Sequence, residues 1–194
     1  MRRVSKIVAL PACLALGVAL RAATPFPQAE SDLRADPSAR FGELPNGLRY
    51  VVLPNREPAG RASLRLVVLA GSFGETESQR GLAHFLQHVA FDGSTHYAPG
   101  ALAERLQRWG MAPGADSNAS TSFDHTLYQI ELPDTAPAAL EEGFRILADY
   151  GGGLLIPPAM VDRERGIVLG EKRTGDSAAY RTLVSRLEFM EAGT

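Results

Sequence analysis

His84 and His88 stand four apart in the stretch RGLAHFLQHVAF, residues 80–91, with Gln87 between them. On a helix, positions i and i+4 project from one face, so both imidazoles can reach one metal ion. Gln87 lies one turn from His84 and beside His88, on much the same side. A tetrahedral catalytic zinc takes three protein ligands and leaves a fourth position for water. Carboxylates are the candidates for the third ligand. Glu164 and Glu171 stand seven apart in RERGIVLGEKR, two helical turns, and so share a face. Each feature also has a plainer reading. Histidine pairs at this spacing arise by chance, and a single glutamate on a helix is more often a solvent-facing charge.

The wider pattern narrows these alternatives. RGLAHFLQHVAFDGS resembles the inverted zinc motif His-x-x-Glu-His of the pitrilysin/insulinase family of metallopeptidases, with Gln87 in place of the glutamate. LPNGLRYVVLPN, LRLVVLAGSFGE, GADSNASTSFDHTLYQIELP and RERGIVLGEKR resemble that family's amino-terminal domain, in order, over roughly residues 43–190. The resemblance implies one zinc ion held by His84, His88 and Glu171, the last standing 83 positions after His88. It implies that Glu164 supports a ligating histidine from outside the ligand set. Asn118, Ala119, Ser120 and Thr121 match the edge strand on which such enzymes align an extended peptide by strand addition.

In that family the residue at position 87 is the general base. A glutamate there takes a proton from the attacking water and passes it to the leaving amine. Glutamine is nearly the same size and can hydrogen-bond that water, but it cannot accept the proton. General acid–base catalysis contributes roughly 10²–10⁴-fold, so the expectation is zinc retained and peptide hydrolysis impaired or lost. Asp92, His96 and His125 are the other groups that could substitute for the base; both histidines read more simply as structural. Two further readings stay open: an active zinc endopeptidase completed by a partner chain, and a metal-free interaction subunit that uses the fold alone.

The elements that must position these residues can be read from patterning. The 194 residues are 45% apolar and 22% charged with net charge −2, which gives no argument for nucleic acid or an anionic membrane surface. The first 23 residues join MRRVSK to a 14-residue apolar run and a small-residue stretch, the pattern of a secretory signal. The sole cysteine, Cys13, lies inside that run. LPAC also has the form of a lipid-attachment box, but the apolar run continues well past it. A chain cleaved after the signal would carry no disulfide or thiolate metal site and is expected in a periplasm or outside the cell.

Residues 24–42 read as a flexible lead-in, and 43–194 as one domain. Asn46-Gly47 is a turn signal before the strand LRYVVL, which is expected to pair antiparallel with ASLRLVVL. Leu82, Phe85, Leu86 and Val89 have helical spacing after Ser78 as N-cap. GALAERLQRWG reads as a helix stopped by Gly110. GADSNAST and TLYQIELP read as extended segments joined at Ser122-Phe123-Asp124. A helix then starts at Thr135 with Leu140, Phe144 and Leu147 as its apolar stripe, and a last helix begins at the prolines and runs on toward YRTLV. Strands first and helices mixed with strands later imply an α+β fold, an antiparallel sheet with helices packed on one face. The ending at FMEAGT reads as a domain incomplete at its C-terminal end. The family builds its chamber from two related halves, so a second subunit is the expected partner, with an extended peptide as substrate.

Overall fold

A computed structural model of the protein describes residues 25–111 and 119–191. The expected signal segment, Cys13 and Asn118 lie outside the described residues. The chain divides into two compact units between Asn55 and Arg56.

The first unit is a hairpin of β1 (Arg40–Glu43) and β2 (Arg49–Val52), antiparallel, with Gly42 opposite Tyr50. Its turn is the expected Asn-Gly: Gly47 has φ +85°, and Asn46 Oδ1 accepts from the Leu48 N–H at 3.1 Å. Asparagine supplies that side-chain acceptor and glycine the left-handed backbone. Phe26 packs edge-on against Phe41 at 5.2 Å, with the Arg49 guanidinium 3.8 Å over its ring. β2 pairs with β1, which precedes the first strand expected from the sequence, and not with the following strand. A hairpin turn that closes locally costs less entropy than a longer connection.

In the second unit, β3 (Ala62–Val68), β4 (Ala119–Thr121) and β5 (Thr126–Leu132) form an antiparallel sheet in the order β3-β5-β4. β5 is central, and its alternation is plain: Thr126, Tyr128, Ile130 and Leu132 are buried on one face. The opposite face carries polar ties, with Ser63 donating to Glu131 at 2.7 Å and Arg65 3.8 Å from the same carboxylate. Helices α1 (Leu82–Val89) and α3 (Pro137–Gly152) pack against this sheet. α2 (Ala101–Arg108) places Leu102 and Leu106 in the core with Ile130, Leu132, Ile146 and Tyr150. Each such side chain contributes roughly 1.5–3 kcal/mol by leaving water. Gly110, at φ +83°, ends α2: its N–H meets the Gln107 carbonyl at 2.9 Å, and the Met111 N–H meets Leu106 at 3.0 Å. The two bonds satisfy carbonyls the helix end would leave open.

Several local expectations are corrected. α1 does not start at Ser78, which lies in a single turn Glu77–Gln79; its N-cap is Gly81. Of its expected stripe only Val89 is buried, while Leu82 is 55% exposed. The third helix is capped at Ala136, not Thr135, with Asp134 accepting the Ala136 N–H at 2.8 Å. Phe144 is 58% exposed, and the buried face of α3 runs through Gly143, Ile146, Asp149 and Tyr150. Gly143 sits there because a Cβ would stand 2.6 Å from Leu64 Cδ1. The last helix does not run on: α4 (Pro158–Gly175) and α5 (Ala178–Glu191) are separate. Ser177 Oγ accepts the Tyr180 N–H at 3.1 Å and so opens α5.

Candidate metal centre

Every described residue singled out for chemistry lies in the second unit, on α1, α4, β4 and their loops. α1 opens at Gly81, whose φ of +86° suits glycine but leaves no side chain to cap the helix. Glu75 takes that role. Its two oxygens accept the N–H groups of Gly81 and Ala83, each at 2.7 Å. The Ala83 hydrogen bond, first, holds the Glu75 carboxyl below its ordinary value, as expected of a carboxylate at a helix N-terminus. His84 follows directly, so this cap anchors the turn that carries the first histidine.

α1 packs against α4, and the contact brings the donors together. His84 Nε2 lies 3.2 Å from His88 Nε2; Glu171 Oε2 lies 3.3 Å from His88 Nε2 and 3.9 Å from His84 Nε2. One ligand atom from each of the three falls within 4.8 Å of the others, and they are the one such group among the described residues. Zinc bonds of about 2.0–2.2 Å in a tetrahedron set ligand atoms about 3.3–3.6 Å apart. The donor set, two imidazoles and one carboxylate, suits that ion; two of the three separations lie near this spacing, and the His84–Glu171 one, at 3.9 Å, is longer. His88 is mostly buried, while His84 and Glu171 are about half exposed, which leaves an open side. Burial pushes His84 below its ordinary value, and neighbouring His88 adds to this against Glu171 and Glu75. The neutral imidazole so favoured is the form that offers a lone pair to a metal.

Glu164 is buried two turns before Glu171 on α4, with Oε2 3.8 Å from His88 Nδ1. Burial first, and the neighbouring Asp92 carboxyl second, push Glu164 up, against the pull of Arg163. Gln87 is half-buried on α1, and its Oε1 accepts the Thr121 hydroxyl from β4 at 3.3 Å. With one lone pair of Oε1 engaged in this way, the amide keeps a second acceptor site and its NH2 donors, none of them basic. β4 has β5 on one side only among the described strands, so Ala119, Ser120 and Thr121 lie on a sheet edge beside Gln87.

The groups named as stand-ins for the base are engaged elsewhere. Asp92 forms an ion pair with Arg163. His96 Nδ1 lies 2.8 Å from Asp149, and His125 Nδ1 2.7 Å from its neighbour Asp124. Asp149 is a hub that sequence reasoning missed. It is 3% exposed and accepts from Ser94 Oγ at 2.5 Å and from the His96 N–H at 3.0 Å. Burial opposes its ionisation, yet the bonds from Ser94 and His96 together hold its carboxyl below the ordinary value. Glu75 and Arg163 were missed as well. The sequence signal for Glu75 was a glutamate ahead of a helix whose cap position is glycine.

A family model described as Insulinase (Peptidase family M16) matches residues 50–188. The probable zinc protease PqqL of Haemophilus influenzae is 38% identical over 143 residues, 74% of this chain and 15% of that protein. The chloroplastic stromal processing peptidase of Arabidopsis thaliana is 32% identical over 165 residues, 83% of this chain and 12% of that protein. The crystal structure of the first half of the periplasmic protease PqqL from Escherichia coli superposes with a TM-score of 0.77 at 33% identity, over 84% of this chain and 35% of that one. The chain thus spans 12–15% of the length of these two curated relatives.

Proposed function

The chain belongs to the insulinase family, peptidase family M16, and from that premise we propose that it is a zinc-binding domain whose peptide hydrolysis is impaired by Gln87. The observation that carries this reading is the donor triad within 4.8 Å beside a glutamine whose carbonyl oxygen already accepts from Thr121.

In this reading His84, His88 and Glu171 hold the ion, and Glu164 backs His88. Zinc in such a site polarises a carbonyl and lowers the pKa of water. β4, which Asn118 precedes in the sequence, pairs with an extended peptide and lays it across Gln87. Gln87 orients water but has no basic lone pair to take its proton, so the general-base share of the rate, roughly 10²–10⁴-fold, is missing. Residues 1–23 direct export to a periplasm-like compartment, 24–42 lead in, and the domain proper follows from 43. A second family half completes the cleft.

The test joins zinc content to turnover. The mature chain should carry about one zinc per chain, absent from His84→Ala and Glu171→Ala. Gln87→Glu should raise chelator-sensitive cleavage of an unstructured peptide by roughly 10²-fold or more while leaving zinc content unchanged. Cleavage by the native chain at the rate of Gln87→Glu would overturn the assignment.

A further inference from the structure

Around His88 the structure shows a chain of contacts that neither the motif nor the donor triad requires. Arg163 and Glu164 are adjacent on α4. Arg163 Nε donates to Glu164 Oε1 at 3.3 Å, which occupies one carboxylate oxygen and leaves Oε2 facing His88 Nδ1 at 3.8 Å. The other end of the same guanidinium pairs with Asp92 Oδ1. Asp92 belongs to the α1 side: its N–H bonds the Val89 carbonyl at 3.0 Å, in the turn just beyond His88. Its second oxygen, Oδ2, is buried and meets no hydrogen-bond donor. A buried carboxylate oxygen without a donor is costly, and Arg163 is the cation that answers it. Only arginine presents several donors in a rigid fork that can hold two carboxylates at once.

Two consequences follow from the geometry. The fork fixes which Glu164 oxygen turns toward His88; at 3.8 Å the carboxylate acts on Nδ1 through its charge, favouring a proton there and so a lone pair on Nε2. The same fork ties the end of α1 to the start of α4. These are the two helices that carry the histidines and Glu171, so the tie sets the spacing of the triad. We propose that Asp92 and Arg163 are positioning residues of the metal centre, a cross-tie that orients Glu164 toward His88 and fixes α1 against α4. The proposal rests on the zinc reading above but makes a separate claim about the metal-free chain.

Two readouts test it. Zinc affinity is measured by competition with a chromophoric chelator for the native chain, Asp92→Asn, Arg163→Gln and Arg163→Lys. The His88 tautomer is measured in the metal-free proteins by long-range proton–nitrogen correlation spectra. The expected result is a 10–100-fold loss of affinity in Asp92→Asn and in Arg163→Gln, a smaller loss in Arg163→Lys, and no further loss in the double variant. In each weakened variant the Nδ1–H form of His88 falls, and the double variant, which leaves neither charge of the pair unmatched, keeps an unfolding midpoint near native in the metal-free chain while its affinity stays reduced. Arg163 is 53% exposed, so its variants keep the test intact if Asp92→Asn does not fold. Native affinity and native tautomer in both variants would overturn the proposal, as would a loss of stability with affinity unchanged. A native chain that binds no zinc defeats the zinc reading; the tautomer shift then decides the cross-tie by itself.

Discussion

Gln87 and Asp149 show how much one atom or one proton can carry. In the proposed reading Gln87 stands in place of a glutamate of similar size, with NH2 where a carboxylate has its second oxygen, while its Oε1 accepts from Thr121. Asp149 works through its charge. It collects Ser94, the His96 ring and the His96 N–H around one buried carboxylate, pinning the loop after α1 to the end of α3. Its folded pKa lies below the ordinary 3.8. The stability it contributes is therefore fully present above that value and is lost as pH falls through the folded one. Asp149→Asn should lower unfolding free energy at neutral pH by about 1–3 kcal/mol, measured by urea denaturation. The gap to the native chain should narrow as pH is lowered below 3.8. A gap that ignores pH would assign the effect to packing instead of charge. The residue types at 84, 87, 88 and 171 were legible in the sequence because a motif names them. Asp149 was not, because its partners stand more than fifty positions away.

Among the elements, α1 depends on a segment outside itself. Gly81 cannot cap it, so Glu75 reaches back from the loop after β3. That loop is held against the β4–β5 turn: the Ser72 N–H bonds Ser122 and the Phe73 N–H bonds Phe123, at 3.3 and 2.8 Å. The close approach is allowed by Gly71, where a Cβ would stand 2.7 Å from the Phe123 carbonyl. Backbone cannot swing aside as a side-chain tip can. Gly71→Ala should cost about 1–3 kcal/mol by overpacking, read by thermal unfolding. It should also loosen the cap, seen as faster amide exchange at Gly81 and Ala83. Exchange there as slow as in the native chain would show that the cap stands without the loop. Hydrophobic spacing located these helices but misplaced the starts of α1 and α3 and parts of both their stripes. Caps and buried faces are chosen by what an element meets: Ala136 by Asp134, the α3 face by Leu64 at Gly143.

On the scale of the whole second unit, the centre joins residues far apart in sequence through the packing of α1 on α4. An ion held by both helices binds the folded chain and not the unfolded one. At free zinc 100-fold above its dissociation constant it should stabilise the fold by about 2.7 kcal/mol. Denaturation with zinc and with chelator measures the increment, which His84→Ala should abolish. An equal increment in that variant would place the ion elsewhere. Among the described residues no helix is long and apolar enough to cross a membrane. The relatives extend well beyond the segment this chain matches.

What the sequence alone determined is the family and the α+β class, and it named the residues proposed for the metal site. These depend on residue types at short spacings and on patterns that each element carries within itself. Tertiary structure decided the rest. It paired β3 with β5, since strand partners are selected across the sheet and not by adjacency in the chain. It supplied the Glu75 cap, the Asp149 hub and the Asp92–Arg163–Glu164 tie, because a charge finds its partner only after hydrophobic packing has brought distant segments to the same place.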